Sequence, residues 1–135
     1  MSDKGELEAA IGVISGTSMD GIDVALIESD GEAELKTGPS ATFPYPLAVA
    51  QRLRAVVADS SEAEAPQLEL DRLVTDAHVA AVEAFLKRFS ISRERVALVG
   101  LHGQTILHRP REGLTRQLCD GAGAPRVAAR LVGLI

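Results

Sequence analysis

An α/β fold built on a mixed sheet is predicted for this chain, and three observations carry the prediction. Two short N-terminal segments rich in Ile and Val flank glycine-containing turns, as antiparallel strands do. Two later segments repeat apolar residues at helical spacing. A short unbroken apolar run, residues 96–101, then follows, as a strand inside a parallel sheet would.

Bulk composition agrees. At 135 residues the chain has the size of one domain. Hydrophobic residues are 46% and charged residues 24%, a globular balance. Aromatics are 3% with no Trp, so the core must be built from Val, Leu, Ile and Ala, and the stacking platforms of single-stranded nucleic-acid binders are missing. A net charge of −5 and a pI near 5.2 disfavour nucleic acid and anionic membranes as partners. One cysteine, Cys119, excludes an internal disulfide, fits a reducing compartment and reads as a packed thiol. The opening MSDKGELEAA has no basic region followed by an apolar stretch, so no signal peptide is visible, and no apolar run approaches the about 20 residues that span a bilayer. The cytoplasm is the expected location.

The elements follow in order. Residues 1–10 are a polar lead-in, and the remaining domain runs over 11–135. Ile11, Val13 and Ile14 begin the first strand, and residues 15–21 are turn chemistry, with two glycines and three hydroxyl side chains. In the second strand, residues 22–28, Ile22, Val24 and Leu26 take one face and Asp23, Ala25 and Ile27 the other. Asp30-Gly31 is a hairpin turn. A third strand covers 33–37 and continues through 41–43, with a bulge or sheet edge at Gly38-Pro39. Leu47, Ala50, Leu53 and Val57 mark a helix to about residue 58, and residues 59–66, including Glu62 and Glu64, form a solvated acidic loop. A long helix over 67–89 carries the stripe Leu70, Leu73, Val74, Ala77, Ala81, Ala84 and Phe85. The strand at 96–101 should be buried on both faces. A hairpin at 106–119 with Glu112-Gly113 at its tip, a turn at 120–123, a helix from Pro125 to about residue 131 and the start of a fifth strand at 132–135 complete the chain. Three antiparallel strands, helices, a parallel strand, a hairpin, a helix and a further strand is the order of the ribonuclease-H-like half-domain of actin-like ATPases and sugar kinases. The sheet would be truncated before its fifth strand is complete.

Two segments could carry chemistry. The first is Ser15-Gly16-Thr17-Ser18-Met19-Asp20-Gly21. Glycines let backbone approach a phosphate closely, successive N–H groups form an anion-binding concavity, and Ser15, Thr17 and Ser18 add hydroxyl donors. Asp20 and Asp23 would hold Mg²⁺ through water, bind a sugar hydroxyl or brace the turn. From the residues alone, the segment reads first as an ordinary tight turn whose hydroxyls bond their own backbone, and as a phosphate turn second. It is not a Walker loop, because no Gly-Lys-Ser/Thr follows. The second segment is His102-Gly103-Gln104-Thr105, at the carboxyl end of a predicted parallel strand, where ligands of open α/β sheets bind. Its neutral hydrogen-bonding groups suit a sugar, or else form a strand-to-hairpin corner with a satisfied histidine. His102 and His108 lack the partners of a zinc site, and His78 lies on a helix in a different segment. Arg109, Arg111 and Arg116 read as a solvated hairpin face.

Three collinear pieces, IGVISGTSMDGIDVALIE, VGLHGQTILHRP and TRQLCDGA, together resemble the anhydro-N-acetylmuramic acid kinase family. The resemblance runs from about Ile11 to the C-terminus and covers only the N-terminal part of the family's length. It implies a two-domain actin-like kinase fold. It implies an enzyme that opens the anhydro ring of 1,6-anhydro-N-acetylmuramic acid with water and uses ATP and Mg²⁺ to phosphorylate the 6-position. The product is N-acetylmuramic acid 6-phosphate, in cell-wall recycling. The family's ATP loop falls on Gly16, Thr17, Ser18, Met19, Asp20, Gly21, Ile22 and Asp23, and its second motif, expected to line the cleft, on His102, Gly103, Gln104 and Thr105. Residues 121–125 and 131–135 are longer and less regular than the family's counterpart. The family's catalytic aspartate, second phosphate loop, adenine site and partner domain are expected beyond Ile135, so the chain alone should show at most a trace of turnover. The expected partners are ATP and an amino sugar; a homodimer is compatible with the sequence but is not derivable from it.

Overall fold

The structure, a computed structural model, describes residues 7–15 and 19–118. Its elements are β1 (Glu8–Ser15), β2 (Gly21–Ser29), β3 (Leu35–Pro44), α1 (Leu47–Ala58), α2 (Ser60–Glu64), α3 (Leu68–Arg88), β4 (Val96–His102), β5 (Gln104–Arg109) and β6 (Leu114–Leu118). The expected turn at 120–123, the helix from Pro125, the strand at 132–135 and Cys119 lie outside the described residues.

A four-stranded mixed sheet has the order β3-β2-β1-β4, and β5-β6 form a separate two-stranded sheet. β1 pairs antiparallel with β2, which pairs antiparallel with β3, while β4 lies parallel to β1. β1 begins at Glu8, inside the expected polar lead-in, because Ala9 is buried and pairs with both Glu28 and Val96. In β3 the pairing steps from Ala25↔Ser40 to Ile27↔Thr37, which leaves Gly38 and Pro39 opposite Leu26. This is the expected bulge, on an edge strand where Pro removes no needed donor.

The described helices bury their apolar sides on one face of the sheet. Ile11, Val13, Ile22, Val24 and Leu26 point into a core closed by Leu53 of α1 and by Leu70, Val74, Val82 and Phe85 of α3. Each such side chain contributes about 1.5–3 kcal/mol by leaving water. Three expectations need correction here. The α1 stripe is Val49, Ala50, Leu53 and Val56, with Leu47 and Val57 exposed. Both sets obey helical spacing, and only packing against the sheet selects between them. The stretch after α1 is not all loop: Asp59 accepts from the Ser61 N–H at 3.0 Å and caps the short helix α2, and the Ser61 hydroxyl and N–H hold its carboxyl below the usual range. In α3, Ala84 is exposed, whereas Thr75, His78, Val79 and Leu86 are buried, so the apolar face is wider than the predicted stripe.

β4 is the fourth correction. Val96 is buried and Val99 and Leu101 pack on the core, but Leu98 is 58% exposed. Among the described residues β4 is the outermost strand and nothing covers the sheet face opposite the helices. That face carries a trough whose form follows from register. Ser40, Ala25, Gly12 and Gly100 are aligned across four strands and make a floor almost without side chains. Thr42, Asp23, Ile14 and His102 form one wall.

Candidate functional site

Parallel pairing of Ile14 with His102 brings the carboxyl ends of β1 and β4 to one edge of the sheet. β2 starts at that edge and β3 ends there, through the pair Gly21↔Pro44. The two sequence segments singled out for chemistry, more than 80 residues apart, therefore meet on neighbouring strands, where open α/β sheets bind ligands.

Gly16, Thr17 and Ser18 lie outside the described residues. Met19 is buried with φ of 59°. A left-handed backbone at a non-glycine residue costs about 1–3 kcal/mol and is concentrated at functional turns. Asp20 is exposed, with its carboxylate 3.7 Å from the Arg54 guanidinium of α1. Gly21 sits so close to β3 that an added Cβ would come within 2.8 Å of the Phe43 carbonyl oxygen. Ile22 is a core residue. Asp23 stands on the trough wall and accepts a hydrogen bond from Thr42 Oγ1 at 2.5 Å. The trough encloses about 850 Å³, lined by small and apolar groups, with Asp23, Thr42 and His102 at its rim toward the turn.

Two expected ligand-facing side chains point elsewhere. Ser15 was expected as a phosphate donor, but it is buried and its Oγ lies 3.1 Å from His78 Nε2. Gln104 was expected to line the cleft, but it is fully buried, accepts from the Tyr45 hydroxyl at 3.0 Å and donates to the Thr105 carbonyl at 3.1 Å. A buried amide must satisfy its groups internally, and Tyr45 is the partner at hand. His102 is exposed and donates from Nδ1 to the Gly103 carbonyl at 3.0 Å. Gly103 is buried and Thr105 half-buried. Among the described residues no group of three or more His, Cys, Asp or Glu could hold a metal ion. His108 instead lies 3.0 Å from the Thr115 hydroxyl. Arg109 reaches Glu112 at 3.5 Å, and Arg111 is exposed.

His78 and Tyr45 are the residues that sequence reasoning missed. His78 follows Val74 by four positions and precedes Phe85 by seven, so its helical phase placed it on the core face. Its ring is fully buried, 2.8 Å from the Val74 carbonyl through Nδ1. A carbonyl can only accept, so Nδ1 carries the proton; in the neutral ring Nε2 then accepts from the Ser15 hydroxyl. Burial pushes this imidazole below its ordinary value near 6.5, against a smaller upward pull from the Val74 carbonyl. The unfolded chain therefore takes up this proton more readily than the folded one. The stability that depends on neutral His78 is complete above pH 6.5 and is lost progressively as pH falls below it. One proton limits the slope to about 1.4 kcal/mol per pH unit. Urea midpoints should fall between about pH 7.5 and about pH 5, and less steeply in His78→Gln; equal slopes in the two proteins would contradict this assignment.

No helix among the described residues is long and apolar enough to cross a membrane. A family model described as anhydro-N-acetylmuramic acid kinase matches residues 8–131. The anhydro-N-acetylmuramic acid kinase of Rhizobium etli is 43% identical over 134 residues, which cover 95% of this chain and 35% of that protein. That of Rhizobium johnstonii is 44% identical over 133 residues, covering 93% and 36%. That of Agrobacterium fabrum is 43% identical over 128 residues, covering 87% and 33%. The chain thus spans about a third of the length of the curated relatives it matches. With the match running through both motifs that meet at the carboxyl edge of the sheet, the chain belongs to the anhydro-N-acetylmuramic acid kinase family.

Proposed function

We propose that this chain supplies the phosphate-turn half of a sugar-kinase site. The reaction is ATP-dependent phosphorylation of 1,6-anhydro-N-acetylmuramic acid with opening of the anhydro ring, giving N-acetylmuramic acid 6-phosphate for cytoplasmic peptidoglycan recycling. The observation that carries this reading is that β1 ends at Ser15 beside the end of β4, where Ile14 pairs with His102, so the two segments share the carboxyl ends of neighbouring strands. The order β3-β2-β1-β4, antiparallel except for β4, is the order that a ribonuclease-H-like kinase half-domain requires, and it supports that fold.

Gly16 to Asp23 would hold the nucleotide, with backbone N–H groups and the Thr17 and Ser18 hydroxyls toward the phosphates. Bound ATP and its metal supply the transferable phosphoryl group and neutralise its charge. The exposed carboxylates of Asp20 and Asp23 fit Mg²⁺, which keeps several waters and needs few protein ligands. On the sugar side, the His102 imidazole and Thr105 would bind hydroxyls. Gln104 acts behind them by fixing Tyr45.

NMR titration of the chain with MgATP tests the reading. Amide shifts should concentrate at Met19–Asp23 and at His102–Gly103, and adding the anhydro sugar should extend them to Thr105. Shifts scattered over the hairpin β5-β6, or none at millimolar nucleotide, would overturn it.

A further inference from the structure

We propose that His78 is a positioning residue for the phosphate turn, holding the end of β1 through the hydroxyl of Ser15. This rests on the reading of residues 15–23 as a nucleotide site. Ser15 is the last residue of β1, and its side chain is buried against α3, 63 positions away in sequence. Both imidazole nitrogens are committed. Nδ1 donates to the Val74 carbonyl of its own helix, and Nε2 faces Ser15 Oγ at 3.1 Å. With Nδ1 carrying the proton, the Ser15 hydroxyl is the donor of that second bond and is turned inward, toward α3.

A ring placed here only to fill space would more cheaply be apolar, because a buried polar group gains nothing unless its bonds are made. His78 makes both. One of them fixes a side chain at the residue from which the motif departs. The same ring meets the edge of Tyr45, with centroids 6.2 Å apart and planes at 61°. Tyr45 in turn donates to Gln104 in the second motif. The two motifs that meet at the sheet edge therefore rest on one buried polar cluster, of which α3 supplies the central member.

A double-mutant cycle between Ser15 and His78 tests the proposal. Ser15→Ala removes one oxygen, and His78→Leu removes both ring bonds while keeping volume. Without nucleotide, each should shift the amides of Ser15 and Met19–Asp23, and the double variant should shift them no further than His78→Leu does. With MgATP, Ser15→Ala and His78→Leu should each weaken binding about fivefold, the loss of one neutral hydrogen bond's worth of order. His78→Gln, whose amide oxygen can accept from Ser15, should restore most of the affinity. Effects that simply add, or unchanged amide shifts beside a lowered melting point, would make His78 a core residue only and overturn the proposal. If the unmutated chain binds no MgATP, the nucleotide reading fails, and the ligand-free shifts still decide whether His78 positions the strand end.

Discussion

Cutting Phe85 back to alanine is expected to cost about 3–5 kcal/mol of folding stability, measured as a drop in the urea midpoint followed by far-UV circular dichroism. Among the described residues Phe85 is the largest fully buried side chain, and its ring lies 5.0 Å from that of Phe89, centroid to centroid. The helix that carries it closes the core beneath β1 and β2, so the cavity would open where α3 is seated on the sheet. The loss is comparable with the whole stability of a small domain, about 5–15 kcal/mol. The variant should therefore be partly unfolded at room temperature in modest denaturant. Because His78 lies on the same face of α3, amide shifts near Ser15 should move as well. A loss below about 1 kcal/mol would mean that α3 is not anchored by this ring.

Much of the fold was legible because local patterns and packing agreed. Alternation in residues 22–28 separated Ile22, Val24 and Leu26 from Asp23, Ala25 and Ile27, since a strand's period leaves only two faces, and packing against the helices buries the first set. Gly38-Pro39 marked a bulge because neither residue fits a regular central ladder. The helix stripes were less determinate. In α1, two apolar sets share nearly the same spacing, and the choice of Val56 over Val57 belongs to the sheet it packs against. Asp59 was read as loop although it is an N-cap, because a helix of five residues is too short to show periodicity. At the site, residue type marked the turn and the corner, but not where each side chain points. Ser15 and Gln104 looked like ligand donors because they are polar; both are buried, and both are satisfied by residues from distant segments, His78 and Tyr45. Such pairings depend on tertiary contact, which no linear spacing encodes.

Gly21→Ala should be the most damaging single change in the turn. The new Cβ would stand 2.8 Å from the Phe43 carbonyl oxygen and 3.1 Å from Thr42 Cγ2. The first neighbour is backbone and part of the β2-β3 ladder, so it cannot rotate aside as a side-chain tip would. Relief requires the end of β3 to move away from the start of β2. That motion would carry Thr42 from the Asp23 carboxylate it now bonds, and would shift Pro44 and the adjacent Tyr45. Crowding of this kind costs about 1–3 kcal/mol. Gly12→Ala supplies the control: it is the same chemical change on the neighbouring strand, where an added Cβ meets nothing within 4 Å. Its effect on stability should stay within about 0.5 kcal/mol. Thermal unfolding of the two variants, with MgATP titration of each, separates the outcomes. Gly21→Ala should lose both stability and nucleotide response, and Gly12→Ala should keep its stability. Equal melting points for the two would show that β3 yields freely at Phe43, and that Gly21 is not held by close approach to the edge strand.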